Sequence, residues 1–116
     1  NKVVNLAGRL TIEEMVTVIR ESRLVISNDS APIYIAAALQ VDSICILGGG
    51  HPERFATYPP NLPHKAPTLV FHQMDCYGCN WRWKFDRPAN SPVPCIENIT
   101  LDSVWNAVCE KLRLPV

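Results

Sequence analysis

The sequence predicts an α/β domain: a parallel sheet flanked by helices and wound in both directions. Two stretches carry that prediction. Residues 24–39, LVISNDSAPIYIAAAL, pass from an apolar β-branched run through four polar residues into an alanine-rich apolar stretch, the pattern of strand, tight turn and helix. Ile44 to Leu47 is then apolar without alternation and ends in Gly48-Gly49-Gly50-His51-Pro52. A strand apolar on both faces belongs in a parallel sheet covered by helices. In such sheets ligands bind beyond the carboxyl ends of the strands.

Each element has its own signal. Val3 to Leu6 reads as a brief strand punctuated by Gly8. Thr11-Ile12-Glu13-Glu14 is a capping box, the threonine capping the helix and Glu14 reaching back to it. Ile12, Met15, Val16 and Ile19 follow at i, i+3, i+4 and i+7, one apolar face, and Arg20 and Arg23 suit the helix's C-terminal end. Leu24 to Ile26 is a buried strand; Asp29 or Ser30 caps the next helix, in whose first turn Pro32 is tolerated. Ala36, Ala37 and Ala38 keep that helix thin enough to lie close to the sheet.

From Pro52 to Pro94 the texture changes, with eight of the ten prolines in that interval. Thr68 to Phe71 reads as a fourth short strand, and most of the remainder as ordered loop with little helix. Trp81 to Phe85 alternates aromatic and basic residues with a strand-like period. Thr100 caps a last helix with Leu101, Val104, Trp105 and Val108 on its buried face, and Pro115 lies beyond its end. The expected organisation is a single domain over residues 1–116, with a Pro/Cys-rich loop region at 52–98 and a C-terminal helix at 100–113. Four strands are few for such a sheet, and the chain starts at Asn1 without an initiator methionine, so it is expected to be cut from something longer.

Composition narrows the function classes. In 116 residues, 47% are hydrophobic and 19% charged, which describes a globular chain with one core. Eleven basic residues balance eleven acidic ones, so nothing calls for nucleic acid or an anionic membrane as the main partner. No apolar run approaches the roughly eighteen residues that span a bilayer, and no signal peptide is present. Five cysteines, two of them inside predicted regular elements, argue against a disulfide framework and for a reducing cytoplasm.

The turn after the first buried strand is the candidate site. Its backbone N–H groups would stand at the carboxyl edge of a parallel strand, beside small side chains and at the positive end of a helix dipole, which suits an anion. An ordinary βα connection has the same outline.

The succession Asn5-Leu6-Ala7-Gly8, Thr11-Ile12-Glu13-Glu14, Ser27-Asn28-Asp29-Ser30 and Ala36-Ala37-Ala38-Leu39 resembles the C-terminal half of family 9 glycosyltransferases, the ADP-heptose:lipopolysaccharide heptosyltransferases and their relatives. Gly48-Gly49-Gly50-His51 with Arg54-Phe55, and Cys76-Tyr77-Gly78-Cys79-Asn80-Trp81, extend the likeness over nearly the whole chain. The resemblance implies a GT-B architecture of two Rossmann-like domains, of which this is the donor-binding one. It implies that the turn Asp29, Ser30, Ala31 and the position of Tyr34 hold the donor diphosphate. Asp29 and Ser30 match the family's pattern. Ala31 stands where glycine is usual, narrowing the backbone's approach to phosphate, and Tyr34 stands where a histidine is usual, exchanging a cation-capable ring for a neutral phenol. The loop from Gly8 to Thr11 would meet the nucleobase, with Leu10 as the apolar contact. Gly48, Gly49 and Gly50 would let a second backbone segment approach the diphosphate or the sugar, and His51 either contacts a phosphate or is a plain turn histidine. No catalytic residue is expected here: the family's base lies in the N-terminal domain, so this chain should bind donor weakly and catalyse nothing alone. No Asp-x-Asp pair occurs, and such a fold needs no metal if amides and cations neutralise the phosphates.

Two rival signals remain. Cys76-x-x-Cys79 with Cys95 supplies three of the four ligands of a structural zinc, and His72 or His64 would have to complete it; reduced, partly buried thiols are the plainer reading. The strip Trp81 to Phe85, with Arg82, Lys84 and Arg87, could touch lipid headgroups or an acidic acceptor, a peripheral membrane contact at most; such strips more often pack on their own or a neighbouring domain. The alternative function is accordingly a non-catalytic α/β or zinc-stabilised interaction domain whose nucleotide site has decayed.

Overall fold

The structure is a computed structural model and describes residues 2–52, 58, 61, 63–82 and 90–115. Arg54-Phe55, Trp83 to Phe85 and Arg87 lie outside the described residues. The elements are α1 (Ile12–Arg20), β1 (Val25–Asn28), α2 (Ala31–Ala38), β2 (Ser43–Ile46), β3 (Thr68–Val70), α3 (Pro94–Glu97) and α4 (Leu101–Leu112). The strands form a parallel sheet in the order β1-β2-β3. Ile26 pairs with Ile44 and Asn28 with Ile46, and Ile46 in turn with Val70.

Alternation along β2 sends its side chains to two helical layers. Cys45, with Leu47, packs toward Ile33 of α2, while Ile44 packs with Val70, Ala107 and Val108 beneath α4. This is why β2 reads as a continuous apolar run: both of its faces are covered. α1 lies on α2 through Ile19, Ala36 and Val41, with Met15 and Val25 closing the cluster. The capping box of α1 forms as its sequence indicates, Thr11 N–H donating to Glu14 Oε2 at 2.8 Å and Glu14 N–H to Thr11 Oγ1 at 3.2 Å.

At the amino edge of the sheet, Asp42 binds Lys65 Nζ at 2.7 Å and Lys111 Nζ at 3.6 Å. The Lys65 hydrogen bond holds the Asp42 carboxyl below its ordinary range. One carboxylate thus ties α4 and the segment before β3 to the end opposite the site.

Four expectations are corrected. Val3 to Leu6 forms no strand: among the described residues no neighbouring strand pairs with it, and an unpaired strand leaves its backbone groups to water. Ile12 is 73% exposed, so the buried face of α1 begins at Met15. The last helix keeps half of the expected face: Val108 is buried and Val104 packs against the same cluster, but Leu101 is 82% and Trp105 53% exposed, and Ala107 and Cys109 are buried in their place. Finally, Asn80 and Trp81 both have φ near +56°, which rules out a strand entering at Trp81.

Candidate functional site

The turn Ser27 to Ser30 links the carboxyl end of β1 to α2, and its side chains bond to one another. Ser30 Oγ lies 3.1 Å from Ser27 Oγ and donates toward Asn28 Oδ1 at 3.0 Å; Ser27 Oγ donates to the same oxygen at 3.2 Å. Ser30 occupies the N-cap position with extended backbone, but its side chain caps nothing in the helix. Asp29 does not cap either. Its Oδ1 accepts a hydrogen bond of 2.6 Å from Tyr34 Oη, in the first turn of α2. Burial, and then that bond, push the Tyr34 phenol well above its ordinary value, so it is a neutral donor at any physiological pH.

With both side chains diverted, the amides they could have satisfied stay open. Among the described residues no protein group accepts from the backbone N–H of Asp29, Ser30 or Ala31. Pro32 has no N–H, and Ile33 N–H turns back to Ser30 O at 3.1 Å. Ala31 is exposed, and Asp29 and Ser30 are half-buried. The start of α2 therefore presents a short row of donors at the positive end of the helix.

Beside this turn lies a cleft of about 280 Å³. It is lined by Asn28 and Asp29 from the turn, by Gly48 to His51 leaving β2, by Cys79 and Trp81 from the long loop, and by Val93, Cys95 and Ile96 around α3. Four of the sequence-derived site residues, Asp29, Gly48, Gly49 and His51, thus share one cleft. Leu10 does not join them: it lines a separate apolar cavity of about 250 Å³ with Gly8, Thr11, Ile12 and Met15. Tyr34 faces Tyr58, their ring centroids 6.1 Å apart, and Tyr58 in turn lies 5.3 Å from His64.

The glycine run is held by the protein itself. A Cβ on Gly49 would sit 2.7 Å from the Tyr77 ring, and one on Gly50 2.6 Å from Trp81 Nε1. Gly49 N–H donates to Cys95 Sγ at 3.4 Å, and the carbonyls of Gly49 and Gly50 accept from Gly78 and Asn80. These glycines let the Cys76–Trp81 loop lie directly on the strand exit. The approach to a diphosphate expected of this backbone is taken, at Gly49, by a cysteine of the same chain.

The five cysteines are thiols. Burial, with Asp29 nearby, pushes the Cys45 thiol up to about 11. Among the described residues no three of His, Cys, Asp and Glu converge to hold a metal, so Cys76, Cys79, Cys95 and a histidine are not gathered into a four-ligand site there. Nor, among the described residues, is any helix long and apolar enough to cross a membrane.

Sequence reading missed Trp81, Cys95 and Ile96 as walls of the cleft, and it missed α3, which places the last two. One signal was available: Pro94 stands at the first position of the helix, where proline is favoured.

Sheet, turn and cleft together define a parallel α/β domain with a cleft at the carboxyl edge of its strands, beside a turn whose backbone N–H groups are unclaimed among the described residues. The chain belongs to glycosyltransferase family 9 (heptosyltransferase), whose sequence pattern matches residues 1–74. That family has the GT-B fold, and the Rossmann-like parallel sheet with helices on both faces agrees with it. Lipopolysaccharide heptosyltransferase 2 of Salmonella typhimurium is 34% identical to this chain over 65 residues, 56% of this chain and 18% of the relative's length. No solved structure matches the chain.

Proposed function

We propose that this domain binds the diphosphate of a nucleotide-diphospho-sugar, as the donor-binding half of a cytoplasmic glycosyltransferase that moves a heptose to a lipopolysaccharide-type acceptor. The observation that carries this reading is the row of unclaimed amides from Asp29 to Ala31 beside a cleft at the strand ends. Sugar transfer leaves a nucleoside diphosphate, so negative charge grows on its β-phosphate as the glycosidic bond breaks. Donors fixed at a helix N-terminus already point at that charge and need little reorganisation. Family membership and the name of the Salmonella relative support a heptose as the sugar, and on the GT-B plan we expect the acceptor site and the base in a second, N-terminal domain. Leu10's cavity takes the nucleobase, and no metal is required.

Binding by this domain is weak on two physical grounds. Ala31 puts a methyl group where closest approach is wanted, and Asp29 sets a carboxylate bonded only by the neutral Tyr34 phenol, among the described residues, beside the diphosphate. ADP titration of the chain tests the reading: ADP raises the melting temperature, and Ser30→Trp abolishes the rise. An unchanged shift in Ser30→Trp places the site elsewhere, and no shift in the wild type rejects nucleotide binding.

A second reading, an interaction domain with a decayed nucleotide site, is favoured by the same Tyr34–Asp29 bond and by the capture of Gly49 N–H by Cys95. It predicts no response to ADP at millimolar concentration; in its zinc-stabilised form, folding would depend on zinc.

A further inference from the structure

We infer that Trp81 is a binding residue for the sugar ring of the donor, its indole stacking on the ring while Asp29 and Asn28 take the hydroxyls. This rests on the donor-binding reading above and extends it to the sugar end of the ligand. Trp81 lines the cleft yet is 54% exposed, a large apolar surface presented where a ligand would lie. Its placement is constrained from three sides. Asn80 and Trp81 both adopt the left-handed backbone that bulky side chains rarely accept, and such departures persist only where the surroundings over-determine them. Gly78 N–H to Gly49 O and Asn80 N–H to Gly50 O, at 2.6 and 2.9 Å, pin the loop to the strand exit. Gly50 has no Cβ, which is what lets Nε1 come so close, and the His51 ring stands edge-on to the indole with centroids 4.4 Å apart.

The chemistry across the cleft suits a sugar. A pyranose offers a face of C–H bonds, weakly positive, to the negative face of an aromatic ring, and a rim of hydroxyls to polar groups. The same cleft is lined by Asp29, with its carboxylate oxygen Oδ2, and by the Asn28 amide; among the described residues neither Asp29 Oδ2 nor Asn28 Nδ2 has a protein hydrogen-bond partner. At about 280 Å³ the cleft is too small for an entire nucleotide-sugar and suits one ring with the adjoining phosphate. The nucleobase has its own candidate cavity at Leu10, which shares no residue with this one.

The test compares ADP with ADP-heptose by calorimetry on the 116-residue chain, as wild type, Trp81→Ala and Trp81→Phe. ADP-heptose binds the wild type more tightly than ADP does; Trp81→Ala weakens ADP-heptose about tenfold and leaves ADP within twofold, and Trp81→Phe retains most of the preference. Equal weakening of both ligands in Trp81→Ala, with Trp81→Phe also losing the preference, overturns the inference, as does a preference unchanged by either substitution. A wild type that binds ADP without preferring ADP-heptose overturns the role of Trp81 alone. One that binds neither ligand overturns the donor-binding reading and this inference together.

Discussion

Tyr34 Oη donates to Asp29 Oδ1 at 2.6 Å, so the carboxylate in the turn of open amides is clamped by a phenol. The pair is well bonded and electrostatically unhelpful: a hydrogen bond from a neutral donor shares the carboxylate's charge without cancelling it. Tyr34→His should therefore raise ADP affinity, by about three- to tenfold at pH 6, and by much less at pH 8, because imidazole carries its charge below about pH 6.5. Titrations at both pH values check this; equal gains would mean that shape, and not charge, was limiting.

The glycine run is predicted to fail by overpacking. Gly49→Ala drives a methyl group into the Tyr77 ring and should cost about 1–3 kcal/mol of stability. In urea unfolding, Gly49→Ala combined with Tyr77→Ala should lose less than the two single changes together, since the second removes what the first strikes. Additive losses would show that Tyr77 is not what the Cβ meets.

On α4, the exposed and buried faces make opposite predictions. Leu101→Ser and Trp105→Ala should each shift the stability of this chain by no more than about 0.5 kcal/mol. Val108→Ala, which empties space against Ile44 and Val70, should cost about 2 kcal/mol. Thermal unfolding of the three variants decides it; Trp105→Ala as the costliest would restore the face expected from periodicity.

Acid should unpick the amino edge of the sheet. The Asp42 carboxyl is depressed below its ordinary 3.8, first by its hydrogen bond to Lys65, so its contribution is fully present above that value. It is lost as the pH falls through the lower folded value. Because both lysines and the carboxylate are partly exposed, the whole effect should be no more than about 1 kcal/mol. Asp42→Asn should lower the melting temperature slightly at pH 7 and flatten its fall below pH 4; a fall as steep as the wild type's would mean that other carboxylates govern it.

Local grammar was legible wherever one short segment contains its own cause. The capping box at Thr11 and Glu14 and the covered strand at Ser43–Ile46 are of this kind, and so is the turn between β1 and α2. Each depends on neighbours within a few residues, or on being buried on both faces, and both conditions are written in residue type.

The sequence by itself determined a parallel α/β domain with its βα turn at Asp29, and the family to which the chain belongs. Tertiary structure decided the rest. It left Leu101 and Trp105 of α4 exposed and buried Ala107 and Cys109 beside Val108, and among the described residues it left Val3 to Leu6 without a strand to pair with. It also brought Trp81 and Cys95 across the glycine run to wall the cleft. Those outcomes turn on which distant surface arrives to cover a given side chain. Periodicity reports that a face is apolar, and it carries no information about what will be packed against it.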